Sequence, residues 1–175
     1  MGAALRAAAA TLALFVAAPF PALAHDHEPP RALLRHGALE QEGRMIALRW
    51  TEPAGPDACT STLLLAKPRY PREGLPVGQG DFRARIRFAK PARPLSVQAV
   101  ARPELDVEGD LTGRAADLAI RLRPRRPDGD VRAWAAIVTS RVEEDLYLRV
   151  TARWRDRDGC ADKQRATWTF HVTAV

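Results

Sequence analysis

Apolar and polar residues alternate most regularly between residues 81 and 89 of the chain. The apolar positions are Phe82, Ala84, Ile86 and Phe88, and the positions between them are Arg83, Arg85 and Arg87. A period of two with one apolar side predicts a half-buried antiparallel strand. The arginine side has two interpretations. It is either a solvated strand face, as in many antiparallel sheets, or a basic stripe for an acidic partner or a phosphate-bearing surface.

Similar alternation predicts strands elsewhere in the chain. These predicted strands cover residues 44–50, 95–101, 118–123, 146–154 and 166–174. The apolar run at 60–66 predicts a buried strand. The composition of residues 131–140 favours a strand, with a helix as the alternative. Proline- and glycine-rich segments such as 67–80 separate the strands. The pattern predicts an all-β fold, an immunoglobulin-like antiparallel β-sandwich of about seven to nine strands.

The aromatic residues indicate where the core lies. Trp50, Trp154 and Trp168 fall on the apolar sides of predicted strands, so we expect them to fill the space between two sheets. His171 falls on the opposite side of the last strand. That position predicts a surface residue.

The first 24 residues have the three-part layout of a secretory signal peptide. Arg6 supplies the positive charge, residues 7–18 form an apolar run, and Ala22-Leu23-Ala24 is a small-x-small cleavage triplet. The run is shorter than the roughly 20 apolar residues that span a bilayer, which favours a cleaved signal over a membrane anchor. We expect a periplasmic or secreted bacterial protein that has no transmembrane segment after processing. Its predicted parts are a signal peptide (1–24), an N-terminal extension (25–43) and a single domain (44–175).

Cleavage after Ala24 would create a chemically distinctive N-terminus, His25-Asp26-His27. A free α-amine, two backbone amides and the imidazole of His27 can surround a metal in a square plane, which suits Cu(II) or Ni(II). His25 offers a second mode through its own α-amine and ring, with His36 or His171 as an additional ligand. The alternative is a solvated, flexible tail. The sequence establishes no cofactor, and copper is the candidate that this N-terminus suggests.

The charge and the cysteine content of the chain limit which partners and which cellular compartment are expected. The formal net charge of +6 is spread along the chain rather than gathered in a patch with interleaved aromatics, which argues against a nucleic-acid partner. Cys59 and Cys160 are the two cysteines, and an oxidising compartment predicts a disulfide between them. In the chain-entropy model, such a bond around a loop of about 100 residues stabilises by up to about 4.7 kcal/mol.

The sequence contains no recognisable catalytic motif. None of the serines Ser61, Ser96 and Ser140 lies in a G-x-S-x-G motif. The sequence does not exclude a pair of catalytic carboxylates of the kind that glycosidases use. The leading hypothesis is an exported, non-enzymatic β-sandwich that acts as a periplasmic binding or accessory module. Its expected partner is another periplasmic protein or a small ligand. The alternatives are a Cu(II)- or Ni(II)-binding protein that uses His25-Asp26-His27, and an enzyme with an unrecognised carboxylate site.

Overall fold

The computed structural model of the protein describes residues 30–55, 58–88, 93–125, 133–155 and 164–175. The predicted signal peptide, His25, His27 and Cys160 lie outside these ranges, so their predicted roles stay predictions. Within the described ranges the chain is all-β and contains no helix. No helix in the described residues is long and apolar enough to cross a membrane.

The described residues form thirteen strands, more than the seven to nine that the sequence predicts. The strands are β1 (Ala32–His36), β2 (Leu39–Glu42), β3 (Arg44–Gly55), β4 (Ala58–Leu65), β5 (Leu75–Val77), β6 (Gly80–Phe88), β7 (Ser96–Arg102), β8 (Glu104–Leu105), β9 (Leu111–Thr112), β10 (Ala119–Arg125), β11 (Ala133–Val142), β12 (Asp145–Trp154) and β13 (Gln164–Ala174). The surplus comes from strands of two to five residues, which are too short to show a period.

Most of the strands belong to two sheets with antiparallel pairing. The five-stranded sheet has the order β10-β11-β6-β1-β2, and the six-stranded sheet contains β4-β3-β13-β12-β7, with β5 pairing parallel to β13. Strands β8 and β9 form a small separate hairpin. Residues 32–42, predicted as part of an N-terminal extension, form β1 and β2 of the five-stranded sheet. The strand interpretation of residues 131–140 is confirmed by β11 for residues 133–140, which are the part of this range that the structure describes.

One hydrophobic core joins the two sheets. Phe88 of β6, in the five-stranded sheet, contacts two tryptophan rings of the six-stranded sheet. Its ring centroid lies 5.7 Å from that of Trp154 and 5.6 Å from that of Trp168. Trp50 packs edge-on against Trp154 at 5.8 Å. The predicted role of these three tryptophans in the core is therefore confirmed.

Gly43 links β2 of one sheet to β3 of the other. A Cβ atom at this position would lie 2.5 Å from the Cζ atom of Phe170 and 3.1 Å from the Cβ atom of Trp168. The Gly43 N–H donates a hydrogen bond of 2.8 Å to the carbonyl oxygen of Ala32. Because glycine has no side chain, the backbone can approach the buried rings closely enough to pass between the sheets.

Strand β4 corrects the prediction of a buried strand at residues 60–66. Every residue of Ala58–Leu65 is exposed. Among the described strands β4 pairs with β3 alone, so it is an edge of the six-stranded sheet. Both sides of β4 are exposed, which means that the five-stranded sheet does not cover it. Cys59 lies in β4, and its disulfide with Cys160 stays a prediction because Cys160 is outside the described residues.

Candidate functional site

The predicted metal ligands are only partly within the described chain. His25 and His27 are outside it, while His36 and His171 are inside. The Nδ1 atom of His36 lies 3.0 Å from the carbonyl oxygen of Arg83, and its ring packs on Phe82 at 5.6 Å. Within the described ranges there is no group of three or more His, Cys, Asp or Glu side chains placed to hold a metal ion. Copper binding at the N-terminus therefore stays a prediction.

His171 is buried, not at the surface as the sequence predicts, with 8% of the residue exposed. Its Nε2 atom lies 2.8 Å from Oδ1 of Asp145, and its Nδ1 atom lies 3.2 Å from the carbonyl oxygen of Pro71. The ring stacks on Tyr147 with centroids 4.5 Å apart and an interplanar angle of 18°. These four residues are called the His171 cluster below.

Hydrogen bonding in the His171 cluster limits the chemical roles that are open to His171. Both ring nitrogens face oxygen acceptors, so only the doubly protonated ring donates to both. Coordination of a metal would need a free nitrogen lone pair and would break one of these contacts. In a catalytic triad, the second nitrogen faces a nucleophile, whereas here it faces a backbone carbonyl. The cluster therefore acts as a structural link between β12, β13 and the segment before β5.

The segment at residues 66–74 explains why the outer side of β13 is buried. Tyr70 packs edge-on against Tyr147 at 5.3 Å, and the hydroxyl of Thr169 donates to the carbonyl oxygen of Arg69. Burial raises the pKa of Tyr70 to about 12, so its phenol stays protonated near neutral pH. The prolines and glycines of this segment predict an irregular connection between strands. They do not indicate that the segment packs over the sheet.

A second candidate site is the arginine side of the five-stranded sheet. Strand β6 contributes Arg83, Arg85 and Arg87, and strand β10 contributes Arg121 and Arg123. Between them, β11 contributes Ala135, Ile137 and Thr139. The register pairs Arg121 with Ile137 and Ile137 with Arg85, so these residues share one side of the sheet. Two strand spacings separate the arginine rows by about 9.5 Å at the backbone.

Only part of this positive charge is neutralised within the protein. Glu40 of β2 lies 3.0 Å from Arg87 and 3.6 Å from Arg35. By contrast, the side chains of four arginines make no ion pair with any described residue; these are Arg83, Arg85, Arg121 and Arg123. The described part of the chain therefore presents a group of exposed arginines that form no ion pair with other described residues.

Three of these arginines line a concavity of about 320 Å³, which is called the arginine trough below. Its lining residues are Arg83, Arg121, Arg123, Ala119, Ile137 and Thr139. A neighbouring concavity of about 650 Å³ shares part of this lining and also includes Asp81 and Asp117. The sequence revealed the Arg83–Arg87 row, but it did not indicate that β10 would place further arginines across from it.

Comparison with known proteins supplies no assignment for the chain. No family model, no curated protein and no solved structure matches it.

Copper binding at the processed N-terminus gives the first testable prediction. We expect a chain beginning at His25 to bind Cu(II), and His27→Ala to weaken this binding at least about tenfold because one nitrogen of the square plane is lost. N-terminal sequencing of the exported protein first establishes whether His25 is the first residue. Titration followed by visible absorption then measures the affinity.

The matched control for this titration is His36→Ala. It removes an imidazole of the folded domain and leaves the third-position chelate intact. Equal Cu(II) affinity in the unchanged protein and in His27→Ala would rule out the third-position mode. A loss confined to His36→Ala would instead favour the mode in which His25 binds together with His36.

Proposed function

We propose that this chain is an exported, non-enzymatic, immunoglobulin-like β-sandwich that binds a small acidic ligand in the arginine trough. The observation that carries the proposal is the grouping of Arg83, Arg121 and Arg123 around one concavity without an ion pair in the described chain. Like charges placed close together on a sheet repel one another. A bound anion would remove this repulsion.

The chemistry of the trough favours a particular class of ligand. Guanidinium groups form forked hydrogen bonds with carboxylate and phosphate groups. Arginines stand on both sides of the trough, and Ile137 and Ala119 provide apolar surface within it. This arrangement suits a molecule in which two carboxylate or phosphate groups are joined by a short apolar body. The volume lies at the lower end of the range of about 300–1,000 Å³ for small-molecule sites.

The other parts of the proposal have separate support. The three-part layout of residues 1–24 supports export. The sandwich architecture is supported by two sheets that share one core, with Phe88 of one sheet against Trp154 and Trp168 of the other. A module without catalysis is supported by the contacts of the buried His171: one ring nitrogen faces the partly exposed Asp145, and the other faces a carbonyl oxygen rather than a nucleophile.

The proposal is tested by calorimetric titration of the processed protein with inorganic pyrophosphate and, separately, with glutarate. We expect one of the two to bind, which distinguishes phosphate from carboxylate recognition. Arg121→Gln and Arg123→Gln are each expected to weaken binding about tenfold, because each removes charge-assisted hydrogen bonds. Added salt is expected to weaken binding further, since the trough is open to solvent.

The matched control for this experiment is Arg165→Gln. Arg165 is an exposed residue of β13 in the other sheet, and its replacement removes the same charge. We expect it to leave the affinity within about twofold, since screening limits the effect of a distant exposed charge. Absence of binding by both probes, or an equal loss in Arg165→Gln, would contradict the proposal.

An enzyme with a carboxylate pair is a second candidate, because Asp81 and Asp117 line the same neighbouring concavity. A general acid of this kind normally needs a carboxyl group that an apolar surrounding keeps protonated. Both aspartates are exposed, so we favour binding over catalysis. Hydrolysis of aryl glycosides by the unchanged protein, abolished in Asp81→Asn or Asp117→Asn, would reverse this preference.

A further inference from the structure

Two rows of arginines run side by side along the outer side of the five-stranded sheet. The row on β6 contains Arg83 and Arg85, and the row on β10 contains Arg121 and Arg123. All four are exposed, and none makes an ion pair with a described residue. Alternate residues of a strand lie about 6.8 Å apart, which sets the spacing of the arginines along each row.

An uncharged strip of β11 separates the two rows. It consists of Ala135, Ile137 and Thr139, which lie on the same side of the sheet as the arginines. Ile137 pairs with Arg121 on one side and with Arg85 on the other. The strip extends over about 13–14 Å, the length of five residues of extended chain. The two rows and the strip therefore form a groove with cationic walls and an uncharged floor.

We propose that this groove binds an extended acidic segment of another polypeptide. The inference rests on the anion binding proposed above for the arginine trough, and it adds the class of partner. In an extended peptide, successive side chains point to opposite sides, and alternate side chains lie about 6.8 Å apart. A peptide lying over the strip would direct every second side chain to one row and the others to the opposite row. Consecutive Asp or Glu residues would then meet arginines on both sides, at the spacing that the arginines themselves have.

The surroundings of the groove limit the length of the acidic segment. Beyond Thr139, the neighbouring concavity is lined by Asp81 and Asp117. A further acidic side chain placed there would be repelled, because like charges at short range raise the energy of the complex. We therefore expect an acidic run of about five residues, the length of the strip, followed by an uncharged or basic residue.

A bilayer surface and an acidic polysaccharide also carry repeated anionic groups, but they fit this groove less well. Apolar side chains that enter a bilayer strengthen binding to its surface. The exposed large apolar side chains of the described residues lie elsewhere, with none on β6, β10 or β11. In a polyuronate, the sugar rings set the spacing of the carboxylates, so that spacing has no reason to equal the repeat of a β-strand.

The test is calorimetric titration of the processed protein with an end-blocked peptide of five consecutive glutamates. We expect this peptide to bind at least about tenfold more tightly than glutarate, because several ion pairs form within one molecule. The matched peptide contains the same five glutamates alternating with serines. When extended, it directs all its glutamates to one side, so we expect it to bind at least about fivefold more weakly.

Arg85→Gln distinguishes this inference from the binding of a small ligand. Arg85 belongs to the row on β6 but does not line the arginine trough. We expect Arg85→Gln to weaken binding of the consecutive peptide about fivefold and to leave the affinity for small anions within about twofold. Arg165→Gln, on the other sheet, is the matched control and is expected to leave both affinities within about twofold. Thermal unfolding verifies that each variant is folded.

The outcomes separate this inference from the proposed function. If glutarate or pyrophosphate binds but the consecutive peptide binds no more tightly, the inference fails and the proposed function stands. If neither the small anions nor the peptide binds, both fail. Equal binding of the two peptides would overturn the inference, because total charge rather than spacing would then decide the affinity. Tighter binding of pentagalacturonate or of phosphatidylglycerol vesicles would overturn it in favour of a polysaccharide or a membrane.

Discussion

Replacement of Phe88 by alanine is expected to lower the free energy of unfolding by about 3–5 kcal/mol. Phe88 is 3% exposed and stands at the end of β6. Its ring meets Trp154 edge-on at an interplanar angle of 90° and Trp168 at 41°. Because the two tryptophans belong to the opposite sheet, removal of this ring leaves a cavity between the sheets. The rigid backbones of β6, β12 and β13 limit how far that cavity can collapse.

Urea denaturation followed by tryptophan fluorescence measures the effect of Phe88→Ala. Leu65→Ala is the control, because it also shortens a large apolar side chain but at a position that is 85% exposed. We expect this control to change the free energy of unfolding by less than about 0.5 kcal/mol. Similar losses in the two variants would contradict the assignment of Phe88 to the core.

Replacement of His171 by alanine is expected to lower the free energy of unfolding by about 2–3 kcal/mol at neutral pH. The change removes the contacts to Asp145 and to the Pro71 carbonyl, together with the stacking on Tyr147. The carbonyl oxygen of Pro71 would lose its contact with Nδ1 of His171. If His171 were the exposed residue that its position in the sequence suggests, the change would have almost no effect.

The same contact predicts a specific dependence of stability on acid. The hydrogen bond from His171 holds the pKa of Asp145 below its ordinary value of 3.8, and partial burial opposes this effect. Because the folded state has the lower pKa, the contact stabilises the fold fully only above 3.8. This stabilisation is lost progressively as the pH falls from 3.8 through the lower pKa of the folded state. Asp145→Asn should remove this part of the acid dependence.

Urea denaturation over a pH series that extends well below 3.8 measures this dependence. Asp117→Asn is the matched control. Asp117 is exposed, and its replacement removes the same kind of ionisable group. We expect Asp117→Asn to keep the acid dependence of the unchanged protein and Asp145→Asn to show a flatter one. An unchanged slope in Asp145→Asn would mean that the contact with His171 does not stabilise the ionised carboxylate.

Two errors of sequence-based prediction in this chain have the same origin. The apolar run in β4 predicts burial, and the outward position of His171 predicts exposure, yet each prediction is wrong. The period of a strand reports which residues share a side, but it does not report what lies against that side. At β4 the leucines are exposed and no described strand lies over them, whereas at His171 the segment that includes Tyr70 and Pro71 covers the outer side of β13.

The candidate ligand site was predictable only in part. The alternation along β6 shows that Arg83, Arg85 and Arg87 share one side of a strand, because that relation is local. The trough exists because β11 inserts between β6 and β10, with Ile137 standing between two arginine rows. Strand order depends on pairing between distant segments, and alternation within one strand carries no information about it.

By itself, the amino-acid sequence determined the all-β class, the positions of the long strands and the tryptophans of the core. These follow from the period of two and from the cost of leaving aromatic surface in water. The tertiary structure alone decided that β4 is an uncovered edge, that His171 is buried beside Asp145, and that arginines from two strands surround one trough. All three depend on which distant segments pack together, because burial and charge neighbours are properties of the assembled sheets.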